Sequence, residues 1–125
     1  MQDYKELEVW RRAHKVVLTI YSQTRSFPSD ERFGVTSQLR RAAMSIPTNL
    51  AEGCRRAFGR EYSQYVNVAQ GSRSEVQYLV QLAADLGYLD RKTASELYSE
   101  LEEIGRMLHR LRESINRTAS LQPSR

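Results

Sequence analysis

Nine arginines carry the chemistry this chain can offer: Arg40 and Arg41 in one segment, Arg55, Arg56 and Arg60 in a second, and Arg106, Arg110, Arg112 and Arg117 in a third. A guanidinium is planar, always charged and forked, so it grips phosphate through paired hydrogen bonds and stacks on bases, which a lysine ammonium cannot do. Of 19 basic residues, 16 are arginine and only Lys5, Lys15 and Lys92 are lysine. A GC-rich genome favours arginine codons whatever the function, so the count alone leaves both origins open. The formal net charge is +4 and the pI is near 9.5.

Groupings that support catalysis are absent from the sequence. There is no Gly-x-x-x-x-Gly-Lys loop, no Gly-x-Gly-x-x-Gly turn and no Ser/His/Asp set at recognisable spacing. A di-iron site in a helical bundle needs Glu-x-x-His pairs, and neither His14 nor His109 has a glutamate three residues before it. His14 falls in an apolar stripe and is expected to be a core histidine with one hydrogen-bond partner; His109 lies among arginines on a solvated face. Cys54 is the single cysteine, in a polar Gly-Cys-Arg-Arg stretch, and with no histidine near it in sequence it reads as a spare small residue. Glu52 and Glu75 are lone helical carboxylates, of a kind that is ordinarily exposed or ion-paired. The expectation is a protein that is not an enzyme and uses no metal or cofactor.

Four amphipathic helices must position the arginines. The first, from about Leu7 to Thr24, repeats Trp10, His14, Val17, Tyr21 and Thr24 as one stripe and ends at Ser26-Phe27-Pro28-Ser29-Asp30. The second keeps Val35, Leu39, Ala42, Ala43, Ile46 and Leu50 in one phase across Pro47 and closes at Gly53. Pro47 cannot donate to the carbonyl of Ala43 and its ring crowds it, costing about 3 kcal/mol, so a kink there is expected. The third carries Tyr62, Tyr65, Ala69, Ser72, Val76, Leu79, Ala83 and Leu86 in alternating threes and fours, with Val66, Tyr78, Val80 and Leu82 left over for a second face. Gly71 within it would suit close approach by a neighbouring backbone. Leu86-Gly87-Tyr88-Leu89-Asp90 stops that helix and caps the fourth, which repeats Ala94, Leu97, Leu101, Ile104, Leu108, Leu111 and Ile115.

No segment alternates with period two, so no strand is expected. The fold class is all-α: an antiparallel up-down-up-down four-helix bundle with a proline-kinked second helix, spanning residues 1–117, and a loose tail at 118–125. With no apolar run of about 20 residues and no apolar leader, the expected location is the cytoplasm.

In such a bundle the chain start, the link between helices two and three, and the chain end share one pole. Residues 1–14, 50–64 and 106–125 hold 11 basic and 6 acidic residues, whereas the opposite pole, residues 20–38 and 83–100, holds 4 basic and 6 acidic. A positive pole attracts polyanions. Helix dipoles favour basic residues at the carboxyl ends of helices two and four, which accounts for Arg110, Arg112 and Arg117 but not for Arg60, which opens a helix.

The chain resembles the family of four-helix-bundle proteins encoded in intervening sequences of large-subunit ribosomal RNA genes. The resemblance rests on Leu7, Val9, Trp10 and Ala13; on Gln38, Arg40, Arg41, Ala42, Ala43, Ser45, Ile46, Pro47, Asn49, Ala51, Glu52 and Gly53; and on Ala69, Gly71, Ser72, Glu75, Leu86, Gly87 and Tyr88. Thr48 and Cys54 depart from it mildly. It implies an antiparallel bundle, assembly as a ring-like homopentamer, and a relation to accessory proteins of diversity-generating retroelements, which work with a reverse transcriptase on nucleic acid. The expected function is therefore a non-enzymatic, oligomeric protein that binds RNA or DNA through the nine arginines. The rival is a protein-interaction module, such as a reverse-transcriptase partner, in which the extra apolar surface of helix three recruits other chains.

Overall fold

Each helix of the computed structural model starts and stops for reasons readable in local chemistry. The structure describes residues 3–56 and 59–120, and among these there are four α-helices and no strand: α1 Glu8–Thr24, α2 Val35–Cys54, α3 Gly59–Asp85 and α4 Arg91–Ser120. Short 3-10 turns at Tyr4–Glu6 and Ser29–Glu31 precede α1 and α2. Asp90 caps α4 by accepting the Thr93 amide and the Thr93 hydroxyl, both at 2.8 Å. These bonds, the amide first, hold the Asp90 carboxyl below its ordinary value.

Gly87, at φ 82°, ends α3. The Tyr88 amide reaches back to the Ala83 carbonyl at 2.9 Å and the Gly87 amide to that of Ala84 at 3.0 Å, the paired bonds of a left-handed helix stop. Glu31 seals the same pole: one carboxylate oxygen accepts the Val35 amide at 3.3 Å and the other accepts the Tyr88 hydroxyl at 2.8 Å, a bond that raises the tyrosine pKa.

Hydrogen bonds between helices fix their directions. From α3 to α4, Ser63 meets Arg112, Gln70 meets Gly105 and Gln77 meets Tyr98, so each seven-residue advance on one helix is a seven-residue retreat on the other. From α2 to α3, Ser45 meets Ser72 and Cys54 meets Tyr62; from α1 to α2, Tyr21 meets Met44 and Thr24 meets Arg40. Consecutive helices thus run antiparallel. Arg12 closes α1 against α4 with a two-pronged bond to Glu100 at 2.8 and 2.7 Å.

The core follows the expected stripes on α2 and α4: Leu39, Ile46, Leu50, Leu101, Ile104 and Leu108 are fully buried. On α1 the buried stripe lies one residue earlier than expected, at Val9, Ala13, Val16 and Ile20. Trp10, Val17 and Tyr21 are half-buried at its flank and His14 is exposed rather than in the core. Val66 and Val80, which the heptad pattern of α3 left over, are buried, and Leu82 packs against the core. Helix α3 therefore spends most of its extra apolar surface inside the bundle.

Two glycine expectations change, at Gly53 and Gly71, while the apolar phase expected to continue across Pro47 does so in one helix. Pro47 is buried and α2 runs through it without a break, so it neither stops nor restarts the helix. Gly53 lies inside α2 and takes no left-handed turn; a Cβ there would sit 2.8 Å from Tyr62 Cδ1 and 2.9 Å from Tyr65 Cβ, so its lack of a side chain lets α3 approach. Gly71 does the reverse of what was expected, since a Cβ there meets nothing within 4 Å. Helix α4 continues through residues 118–120 of the expected tail, and 121–125 lie outside the described residues.

Candidate nucleic-acid interface

The carboxyl end of α2, the amino end of α3 and the last turns of α4 meet at one pole. A Cβ on Gly59 would touch Ala119 at 2.8 Å and Ile115 at 3.6 Å, which places the start of α3 against the end of α4. The first 3-10 turn joins them, because Tyr4, Trp10, Glu52 and Arg55 line one cleft of about 410 Å³. This gathers Arg55, Arg56, Arg60, Arg112 and Arg117 at one end of the bundle, each with an exposed side chain.

Their partners differ. Arg56 donates to Glu52 at 3.2 Å, lies 4.0 Å from Glu61, donates to the Tyr65 hydroxyl at 2.6 Å and sits 5.0 Å above the Tyr65 ring. It therefore occupies both carboxylates nearest to it. Among the described residues, Arg55 and Arg60 have no ion pair, and their charge stays open to solvent. Arg112 donates to Ser63 at 3.1 Å and pairs with no carboxylate among the described residues.

Beside Arg55, the cleft presents aromatic rings. Trp10 stacks on His14 with centroids 5.2 Å apart and planes 8° from parallel, while Tyr4 meets the Trp10 ring edge-on at 4.9 Å. The exposed histidine face next to an unpaired guanidinium combines a stacking platform with a phosphate donor, the pairing by which single strands are held. Assigning His14 to the core hid this platform. Its signal was the bulk of neighbouring Trp10, too large and too amphipathic to be swallowed by a four-helix core.

The remaining sequence candidates lie elsewhere. Arg40 is spent between α1 and α2, donating to Thr24 Oγ1 at 2.8 Å and lying 4.5 Å above the Tyr21 ring. Arg41 is exposed and has no ion pair among the described residues. Arg106 and Arg110 share Glu103, at 2.8 and 3.4 Å, and the Arg106 bond chiefly holds the Glu103 carboxyl below its usual range. Cys54 is buried, with its sulfur 3.3 Å from the Tyr62 hydroxyl; burial first, then that contact, raises the Tyr62 pKa. A buried thiol is ill-placed to react. Glu52 and Glu75 are exposed. Ser45 joins α2 to α3 by accepting from the Ser72 hydroxyl at 2.7 Å, and Asn49, one turn on in α2, donates to the Ser45 carbonyl at 2.8 Å. Among the described residues, no three His, Cys, Asp or Glu side chains cluster as metal ligands, and no helix is long and apolar enough to cross a membrane.

Fold and pole together define a small all-helical four-helix bundle with a basic end. Residues 5–110 match the model of the 23S rRNA-intervening sequence protein family, and the chain belongs to that family. A solved structure from Bacteroides thetaiotaomicron, described as a protein with unknown function from the S23 ribosomal protein family, is similar with a TM-score of 0.77 and 18% identity, over 84% of this chain and 95% of that one. At that identity the likeness is one of fold. Comparison with curated proteins gives no match.

Proposed function

We propose that the protein is a non-catalytic binding protein that holds single-stranded RNA at the basic pole. The observation that carries this reading is the pair Arg55 and Arg60, exposed and without ion pairs among the described residues, on either side of the α2–α3 link, with Arg55 lining the cleft that holds the Trp10–His14 stack. A phosphate reaching either guanidinium displaces only water and counterions, whereas at Arg56 it must compete with Glu52 and Glu61. An exposed ring face adds about 1–3 kcal/mol per stacked base and is tolerant of sequence. Assembly into an oligomer would multiply the field of the pole.

In the protein-interaction reading, the apolar surface that α3 offers a partner is Val68 and Tyr78, because Val66 and Val80 are buried and Leu82 packs against the core. Fluorescence anisotropy with a labelled RNA single strand separates the two. Replacing Arg55 and Arg60 by glutamate abolishes binding with the oligomeric state unchanged if the pole is the interface; unchanged affinity in that variant refutes it.

A further inference from the structure

A second cationic site lies on the α3–α4 face, built around an arginine that sequence patterning did not single out. Arg73 is half-buried and clamped at two points. Its Nε donates to Gln70 Oε1 at 2.8 Å and its Nη1 donates to Gln77 Oε1. Both clamps are themselves tied to α4: Gln70 Nε2 donates to the Gly105 carbonyl at 3.0 Å, and Gln77 Nε2 donates to Glu102 at 3.0 Å and to the Tyr98 carbonyl at 3.4 Å. The guanidinium lies flat over Gly105, where a Cβ would come within 2.9 Å of Nε and 3.0 Å of Cζ.

Clamping by amide oxygens orients a cation without cancelling its charge, which a carboxylate would do. Nη2 of Arg73 makes no hydrogen bond to the described residues. Arg73, Arg106, His109 and Arg110 line one cleft of about 320 Å³, floored by Gly105 and walled on one side by Glu102. Arg106 and Arg110 divide a single carboxylate, Glu103, between them, and His109 stands 3.6 Å from Glu113. Three arginines thus line one cleft, and the three carboxylates around it are each engaged: Glu103 by Arg106 and Arg110, Glu102 by Gln77 and Glu113 by His109.

We propose that this cleft binds a phosphate group, with Arg73 as its fixed donor and Arg106 and Arg110 closing over the anion. It stands apart from the basic pole and does not depend on it. Glu102 opposes binding and sets the affinity low.

The test follows the arginine Nε–Hε resonances of the full chain by ¹⁵N NMR during titration with inorganic phosphate, with sodium chloride at matched ionic strength as the control. A saturating shift at Arg73 that chloride does not reproduce is expected, weakened about tenfold by Arg106→Gln, as befits loss of one charge-assisted bond. Glu102→Gln should tighten it. Gly105→Ala displaces the guanidinium and should weaken binding while leaving α4 helical, so the site stays testable if Arg73→Gln fails to fold. A parallel titration with an RNA single strand identifies the source: shifts with both probes mean a nucleic-acid backbone phosphate, and shifts with inorganic phosphate alone mean a free or small-molecule phosphate. No saturable response at Arg73, or one equal in chloride, overturns the site.

Discussion

At the scale of single residues, two glycines in neighbouring helices do opposite things, and their substitution should separate by sign. Alanine relieves the helix-propensity penalty of glycine by about 1 kcal/mol. At Gly71, where nothing lies within 4 Å of a new Cβ, that gain stands alone. At Gly53 a methyl meets Tyr65 Cβ at 2.9 Å, an atom fixed to the α3 backbone, so the helices must part. Overpacking of this kind costs about 1–3 kcal/mol and outweighs the propensity gain. Urea denaturation should therefore show Gly71→Ala more stable than the parent and Gly53→Ala less. The sequence could not separate the two glycines, because what meets a missing side chain is a tertiary fact. Arg40 was hidden in the same way: as a residue type it suits phosphate, but its reach to Thr24 and Tyr21 depends on how α1 and α2 pack.

At the scale of elements, legibility depended on how cleanly apolar and polar residues separate. In α4 every stripe position from Ala94 to Leu108 is buried, since charged residues fill the other faces and leave one choice. In α1, Val9, Val16 and Ile20 compete with Trp10, Val17 and Tyr21 one residue later, and both sets fit a helical period. Packing chose the smaller aliphatic set for the core and left the amphipathic rings at its edge. Ile20→Ala should accordingly cost about 2–5 kcal/mol in thermal or denaturant unfolding, and Tyr21→Ala distinctly less. The cap of α4 was visible from Asp90 alone, and its charge makes a pH prediction. Because the folded-state carboxyl is held below its ordinary value, the cap stabilises the fold fully above the unfolded aspartate value, about pH 4, and the benefit disappears as pH falls through the lowered folded value. The difference in melting temperature between the parent and Asp90→Ala should be constant near neutrality and shrink in acid; a gap that does not narrow at all as pH is lowered below the unfolded aspartate value contradicts an ionised cap.

At the scale of the whole molecule, the helix directions bring Arg55, Arg56 and Arg60 to the end of the bundle that holds Arg112 and Arg117, up to 62 positions away in sequence. The meeting of the α2–α3 link with the end of α4 was legible because only helix number and link length enter it. The internal pairing was not: Glu52 and Glu61 both turn to Arg56, which leaves Arg55 and Arg60 open, and that distribution is set by side-chain reach across the α2–α3 link. Arg73 was missed because its meaning lies in Gln70, Gln77 and Gly105 together, residues that no apolar period marks.

The most direct measurement is the salt dependence of RNA binding by the parent and by an Arg55→Gln, Arg60→Gln variant, which leaves the Arg56 pairs in place. Each phosphate contact on a single strand contributes about 0.7 to the slope of log affinity against log salt. Binding that weakens steeply with salt in the parent, with a slope shallower by about 1.4 in the variant, is the expected result. A parent affinity that does not change with salt, or equal slopes for the two proteins, would contradict phosphate binding at this pole.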